Sequence, residues 1–346
     1  MSLIRITVFA VVTPMLLAFT IEAQEQEASP AAEVVFDVSI KALLQSPEFK
    51  DASIEDLIHL DSDNSPFGSE FGISDITRVS GAISLPKRIG DLAKVFYEKE
   101  FPFDFMFQIR FSKNTFVERF SDYLKSQNFQ SENVGGVLMT RVPVTDTKTS
   151  VLVRKYGPST LAIGTAKFLS GNINDVVTLE ARKSWANCAK GPVRLVFDLK
   201  NSSSFVDEIF QLVDFEDAQS QLEKVSQQAN AFSVSLLPDS GGLVQIGVAA
   251  SSTESTAVLK KRLDFLSFEL RTTLNRFLKP LSEERDEEPL AIDGISTVAN
   301  QSEIKLLVAK PTDLPYMLVK ALDSADEESK TIQTQENQPE EQLTQR

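Results

Sequence analysis

The chain has 346 residues, 42% of them hydrophobic and 24% charged, a composition that supports a packed fold. Its 35 Lys and Arg against 49 Asp and Glu leave a formal net charge of −14, a field that repels phosphate backbones and argues against nucleic acid as a partner. A single cysteine, Cys188, and a single histidine, His59, exclude an intrachain disulfide, a Cys/His zinc site and a CxxC redox motif.

Arg5 is the only charge ahead of the apolar run 6–21, after which Glu22-Ala23 offers a small residue at a cleavage point and 24–27 is polar. A positive start, a short apolar run and a small residue at its end make 1–23 a signal peptide cut after Ala23. The run falls short of the ~20 residues that a spanning helix needs, and Pro14 interrupts it. No later segment is apolar for ~18 residues, so no membrane span is expected after cleavage, and the protein is expected to be extracytoplasmic, periplasmic or secreted. Residues 24–33 read as a linker.

The fold is expected to start near Val34-Val35-Phe36, with short helices over 37–59 and a loop over 60–72, where Asp, Ser, Asn, Pro and Gly concentrate. A strand is predicted near 77–85. In 101–111, Phe101, Phe103, Phe105, Phe107, Ile109 and Phe111 alternate with Pro102, Asp104, Met106, Gln108 and Arg110. That period of two predicts a half-buried strand whose phenylalanines are core. Asn114 or Thr115, with Glu118 behind, is expected to cap a helix that buries Phe116, Val117, Phe120 and Leu124. Gly135-Gly136 precedes strands near 137–144, 150–155 and 160–163, and Thr165 opens a helix that ends near Ser184.

The second half opens with a strand over 193–199. Asn201 to Ser204 caps a helix carrying Phe205, Ile209, Leu212 and Val213. The turn at Pro238-Asp239-Ser240-Gly241-Gly242 joins a strand with Phe232, Val234 and Leu236 on one side to a second over 243–249. Leucines at 259, 263, 266, 270, 274 and 281 mark a long amphipathic helix over 254–281. An acidic loop over 283–288, a strand near 303–309 and a short helix near 314–322 follow, and 323–346 is an acidic, Gln-rich tail expected to be disordered.

The fold class expected is α+β, mainly antiparallel sheets with helices packed on one face, in domains 34–184 and 185–322. The halves read as related, matching 105–111 to 193–199 and Gly135-Gly136 to Gly241-Gly242.

No residue is nominated as catalytic, cofactor-binding or metal-ligating. His59 has Asp56, Asp61 and Asp63 nearby, but there is no G-x-S-x-G elbow to supply a serine nucleophile. Asp61-Ser62-Asp63-Asn64-Ser65 starts like a calcium loop but has Pro66 and Gly72 where the loop needs Gly and Glu, so it reads as an Asx-turn loop. Neither a P-loop nor a G-x-G-x-x-G occurs. Cys188 has Lys183 and Lys190 near it in sequence but His59 is remote, so it reads as a buried inert thiol. The triplets at Asn201 and Asn300 are glycosylation sequons, with meaning only in a eukaryotic secretory pathway.

The stretches 76–81, 107–111 and 161–165, set in strand–strand–helix–Gly-Gly–strand units behind a signal peptide, resemble uncharacterised exported proteins of planctomycete-type bacteria over about 70–280. The resemblance implies an envelope location and brings no activity or site residue. The functional expectation is an exported non-enzymatic protein that binds a protein or a cell-envelope component. The alternative is an extracytoplasmic hydrolase using Asp/Glu carboxylates or a carboxylate-held metal; buried paired acids would favour it and an exposed apolar patch would favour binding.

Overall fold

The structure is a computed structural model of the chain. It describes residues 31–47, 71–86, 88, 103–143, 150–171, 173–203, 205, 208, 224–237, 239, 241–283, 294–300 and 302–309. The expected signal peptide, most of the expected linker, the loop expected over 60–70, the acidic loop expected beyond Glu283, the helix expected near 314–322 and the expected tail lie outside the described residues, as does most of the helix expected after Asn201.

Among the described residues, twelve strands form one sheet: β1 (Val34–Val38), β2 (Ile76–Ile83), β3 (Phe105–Phe111), β4 (Ser131–Val134), β5 (Val137–Pro143), β6 (Ser150–Gly157), β7 (Thr160–Gly164), β8 (Val193–Asp198), β9 (Ala229–Leu236), β10 (Val244–Ala250), β11 (Ile295–Ala299) and β12 (Glu303–Val308). Their order is β11-β12-β10-β9-β8-β1-β2-β3-β7-β6-β5-β4, and every pairing is antiparallel. The helices are α1 (Ile40–Gln45), α2 (Asn114–Ser126), α3 (Ala166–Leu169), α4 (Ile173–Val176), α5 (Leu179–Asn187) and α6 (Thr253–Glu283). The α+β class with mainly antiparallel pairing is as expected. Among the described residues, no helix is long and apolar enough to cross a membrane.

Because strand side chains alternate between faces, each central strand feeds two cores. One face gathers Phe36 from β1, Phe105, Phe107 and Ile109 from β3, and Phe197 from β8, and is covered by Phe116, Val117 and Phe120 of α2 and Leu259 and Leu263 of α6. The opposite face gathers Val35, Met106, Ala162 and Val196 under Phe168 and Leu169 of α3 and Ala181 of α5. Helices therefore lie on both faces, which corrects the expectation of one. The reason is on β3: Met106, expected to face water, is fully buried. The strand is packed from both sides, so a regular alternation of large and mixed residues concealed a second apolar row.

The one helix expected from Thr165 to near Ser184 is three, the last of which runs on to Asn187. Thr165 makes no side-chain cap bond, whereas the Thr178 hydroxyl accepts from the Ala181 N–H and starts α5. α2 buries the four expected residues, but its N-cap is Lys113 rather than Asn114 or Thr115. β11, unforeseen in the sequence, pairs with β12 as an edge hairpin.

Both halves follow one path. A first strand (β1, β8) is followed by an antiparallel pair (β2–β3, β9–β10) and a covering helix (α2, α6), and the last strand of the half (β7, β12) pairs with the second strand of that pair. By this path β3 corresponds to β10 and β8 to β1, which corrects the expected match of 105–111 with 193–199. The two Gly-Gly pairs also differ in place. Gly135-Gly136, at φ 59° and 82°, forms the two-residue turn between β4 and β5, while Gly241-Gly242 lies in the β9–β10 connection. The expected domain boundary at 184/185 falls inside α5.

Gly81 fixes the centre of the main core. It lies opposite Phe36 on β1 and Phe107 on β3, and a Cβ added there would sit 2.5 Å from the Phe36 ring and 2.6 Å from that of Phe107. The missing side chain lets the two rings meet across the strand, centroids 5.6 Å apart.

Phe105 is 4% exposed, and Asp104, just before β3, pairs at 3.2 Å with the half-exposed Lys167. Phe105→Ala is expected to lower stability by about 3–5 kcal/mol through lost burial and a cavity, and Asp104→Ala by under about 1 kcal/mol. Urea midpoints check this. Equal losses, or a larger one at Asp104, would contradict the assignment of the phenylalanine face.

Candidate functional site

His59 and the Asp61–Ser65 loop lie outside the described residues. Cys188, at the end of α5, is buried, and its thiol donates to the Val234 carbonyl at 3.8 Å. Burial is the main cause that pushes this thiol up, away from the thiolate a nucleophile needs. Of the sequon asparagines, Asn201 donates its Nδ2 to Asp198 at 2.6 Å, and Asn300 turns its Oδ1 toward the Ser302 and Glu303 N–H groups. Among the described residues, no three His, Cys, Asp or Glu side chains come together as a metal site.

One pair of acids is brought together where β1 meets β8. The Asp198 N–H donates to the Glu33 carbonyl at 2.8 Å, which sets the two side chains next to each other on one face. Asp198 is fully buried and accepts from the Thr178 hydroxyl at 2.5 Å and from the Asn201 N–H at 3.0 Å, besides the Asn201 amide. It thus holds the turn that leads the chain off β8 by bonding the N–H three residues on. Glu33 accepts the Leu85 N–H at 2.9 Å. Burial, ahead of the neighbouring Asp198 charge, raises its carboxyl to about 7. Glu33 could exchange a proton near neutral pH, yet the fold's own donors already engage both acids.

A second polar cluster crosses the same seam. Asp37 of β1 is 4% exposed; it takes a two-pronged ion pair from Arg78 on β2 and a contact at 3.4 Å from Arg194 on β8. The Arg194 guanidinium lies 4.1 Å from the centre of the Trp185 ring, under α5. The two arginines satisfy the buried carboxylate, and they tie β2 and β8 to the strand between them. Nothing in the sequence marked these residues, whose partners are 41 and 157 positions away.

The outward side of α6 carries an apolar surface. Leu259 and Leu263 face the core, whereas Val258, Phe265 and Phe268 are 40%, 43% and 56% exposed. Ala257, Val258, Lys261, Arg262 and Phe265 line an open groove of about 420 Å³. Arg271 stands 5.8 Å from the centre of the Phe268 ring, and Lys260 pairs with Asp264 at 2.7 Å. Over 257–279 the sequence has six basic residues (Lys260, Lys261, Arg262, Arg271, Arg276, Lys279) and two acidic ones (Asp264, Glu269), against the negative balance of the whole chain. The leucine spacing gave the inward stripe; Phe265 and Phe268 stand off it, and that was the signal available for the outward one.

No protein-family model, curated protein or solved structure matches this chain.

Glu33 gives a pH prediction. Its carboxyl holds a proton to about 7 in the fold and to 4.5 ordinarily. Between those values the folded state binds more protons than the unfolded state, so stability falls as pH rises through that window. Glu33→Gln is expected to flatten the fall and to be more stable than the parent at pH 8. Urea unfolding from pH 4.5 to 8 measures the difference between the two proteins. Parallel curves would mean that Glu33 ionises in the fold as it does in water.

Proposed function

We propose that the protein is exported and acts as a non-enzymatic binding protein that docks an acidic protein segment with an apolar stripe on the outer side of α6. The observation that carries the reading is the exposed Val258, Phe265 and Phe268 set among basic side chains. An apolar patch needs a cover, and the cationic rim of this one selects a negatively charged partner. The helix supplies anchors at i, i+7 and i+10, which fall along one side of it and suit a meeting of two helical surfaces. Export rests on the charge and apolar pattern of 1–23, and the resemblance to exported planctomycete-type proteins points the same way. The common path of the halves favours a duplicated unit in which α2 and α6 are counterparts.

The hydrolase reading has one observation in its favour, the Glu33–Asp198 pair. The three donors on Asp198 and the Leu85 N–H on Glu33 account for that pair as part of the fold, so binding is the better account.

Fluorescence anisotropy tests docking with a labelled amphipathic peptide of Glu and Leu, alongside its Lys–Leu counterpart and anionic phosphatidylglycerol vesicles. Saturable binding of the acidic peptide is expected, weakened about tenfold, or by ~1.4 kcal/mol, in Phe265→Ser/Phe268→Ser. N-terminal sequencing of the mature protein should begin at Gln24. Binding of vesicles alone, or equal binding of both peptides, would overturn the docking proposal, and a mature chain beginning at Met1 would overturn export.

A further inference from the structure

The face opposite the main core changes character along the strands. On β2 the residues on that face run from the fully buried Ala82 through the half-buried Ser80 to the exposed Arg78, and on β3 from Met106 through Gln108 to Arg110. On β6, Leu152 is buried, Arg154 half-buried and Tyr156 exposed. The apolar level lies under α3, α4 and α5, and the next level lies where that helical cover ends. Register places Ser80 opposite Gln108, Gln108 opposite Ala162, and Ala162 opposite Arg154, so one level, polar except for the buried Ala162, crosses β2, β3, β7 and β6 on the same face.

Two buried donors on this level, the Gln108 Nε2 and the Arg154 Nε, make no hydrogen bond among the described residues. Arg154 gives one Nη2 bond to the Gly171 carbonyl at 3.1 Å and lies over the Tyr156 ring at 4.6 Å, but no carboxylate pairs with it among the described residues. Arg110 is exposed, one step further along β3 and cross-strand from Arg78, and has no ion-pair partner among the described residues. Asp37 is already held by Arg78 and Arg194, and Asp75 by the Gly72 N–H and the Ser112 hydroxyl. A buried donor left unbonded is costly, and more so when it belongs to a charged group.

We propose that Gln108, Arg110 and Arg154 form a binding site for an oxyanion, a carboxylate or phosphate group, on the ledge beside the helical cover. Gln108 and Arg154 stand two strand spacings, about 10 Å, apart on the same face, with the small Ala162 between them. The guanidinium of Arg154 offers a fork to two oxygens, the Gln108 amide donates a third bond, and Arg110 brings a charge from the open side. The Tyr156 ring stacks against the Arg154 guanidinium. The site is separate from the α6 face and does not depend on that reading.

Isothermal titration of the full chain at constant ionic strength, with inorganic phosphate and with succinate as probes and chloride as the control, decides it. Saturable binding of phosphate or succinate beyond the chloride control is expected, and which of the two binds tells phosphate from carboxylate chemistry. Arg110→Gln, at an exposed position that leaves the core intact, should weaken binding about tenfold, and Arg154→Gln with Gln108→Leu should abolish it. No binding beyond chloride, or unchanged affinity in Arg110→Gln, would overturn the site.

Discussion

The sheet depends on the antiparallel pairing of β1 with β8. β1 is five residues long, yet it bonds to β2 on one side and β8 on the other, so the two halves of the chain meet through it. The pairing aligns Phe36 with Leu195 in one core and Val35 with Val196 in the other, so a one-residue slip would move every side chain to the wrong face. Asp37 reinforces the register from the polar side, because its ion pairs with Arg78 and Arg194 form only when all three strands are aligned. Asp198 and Glu33 close the other end of the same pair of strands.

That arrangement leads to the surfaces that could work. Covering helices follow β3 and β10 onto one face, and α6, with 31 residues, is far longer than the strands it covers. Its inner stripe completes the core, and its outer stripe is left with exposed aromatic and basic side chains. On the opposite face the short helices of 166–187 cover only the apolar level, which leaves the glutamine and arginine level at the border of the cover. Both candidate surfaces thus arise from the mismatch between the extent of the sheet and that of its covering helices.

Much of the strand layout was legible because it is local. The alternation in 105–111, the Gly135-Gly136 turn and the leucine spacing of α6 each report on neighbours a few residues away. What was not legible is set by distant pairing. Met106 gives no sign that a second layer buries it, since a methionine opposite phenylalanines suits either face. The halves were matched by local similarity at 105–111 and 193–199, whereas the path of the chain pairs β8 with β1, an equivalence that appears only once strand order is known. Asp37, Arg78 and Arg194 look like ordinary strand residues until register joins them, and Gln108 and Arg154 likewise. Of the acids, nothing in composition set Glu33 and Asp198 apart from the other carboxylates.

The central claim is that the halves form one cooperative sheet locked at the β1–β8 seam. Native-state hydrogen exchange across a urea series tests it most directly. The account expects the amides of β1, β3, β8 and β10 to share one opening free energy and one denaturant slope, equal to those of global unfolding. A set of amides in β8, β9 and β10 that opens at lower urea while β1, β2 and β3 stay protected, or the reverse, would show two independent halves and contradict it.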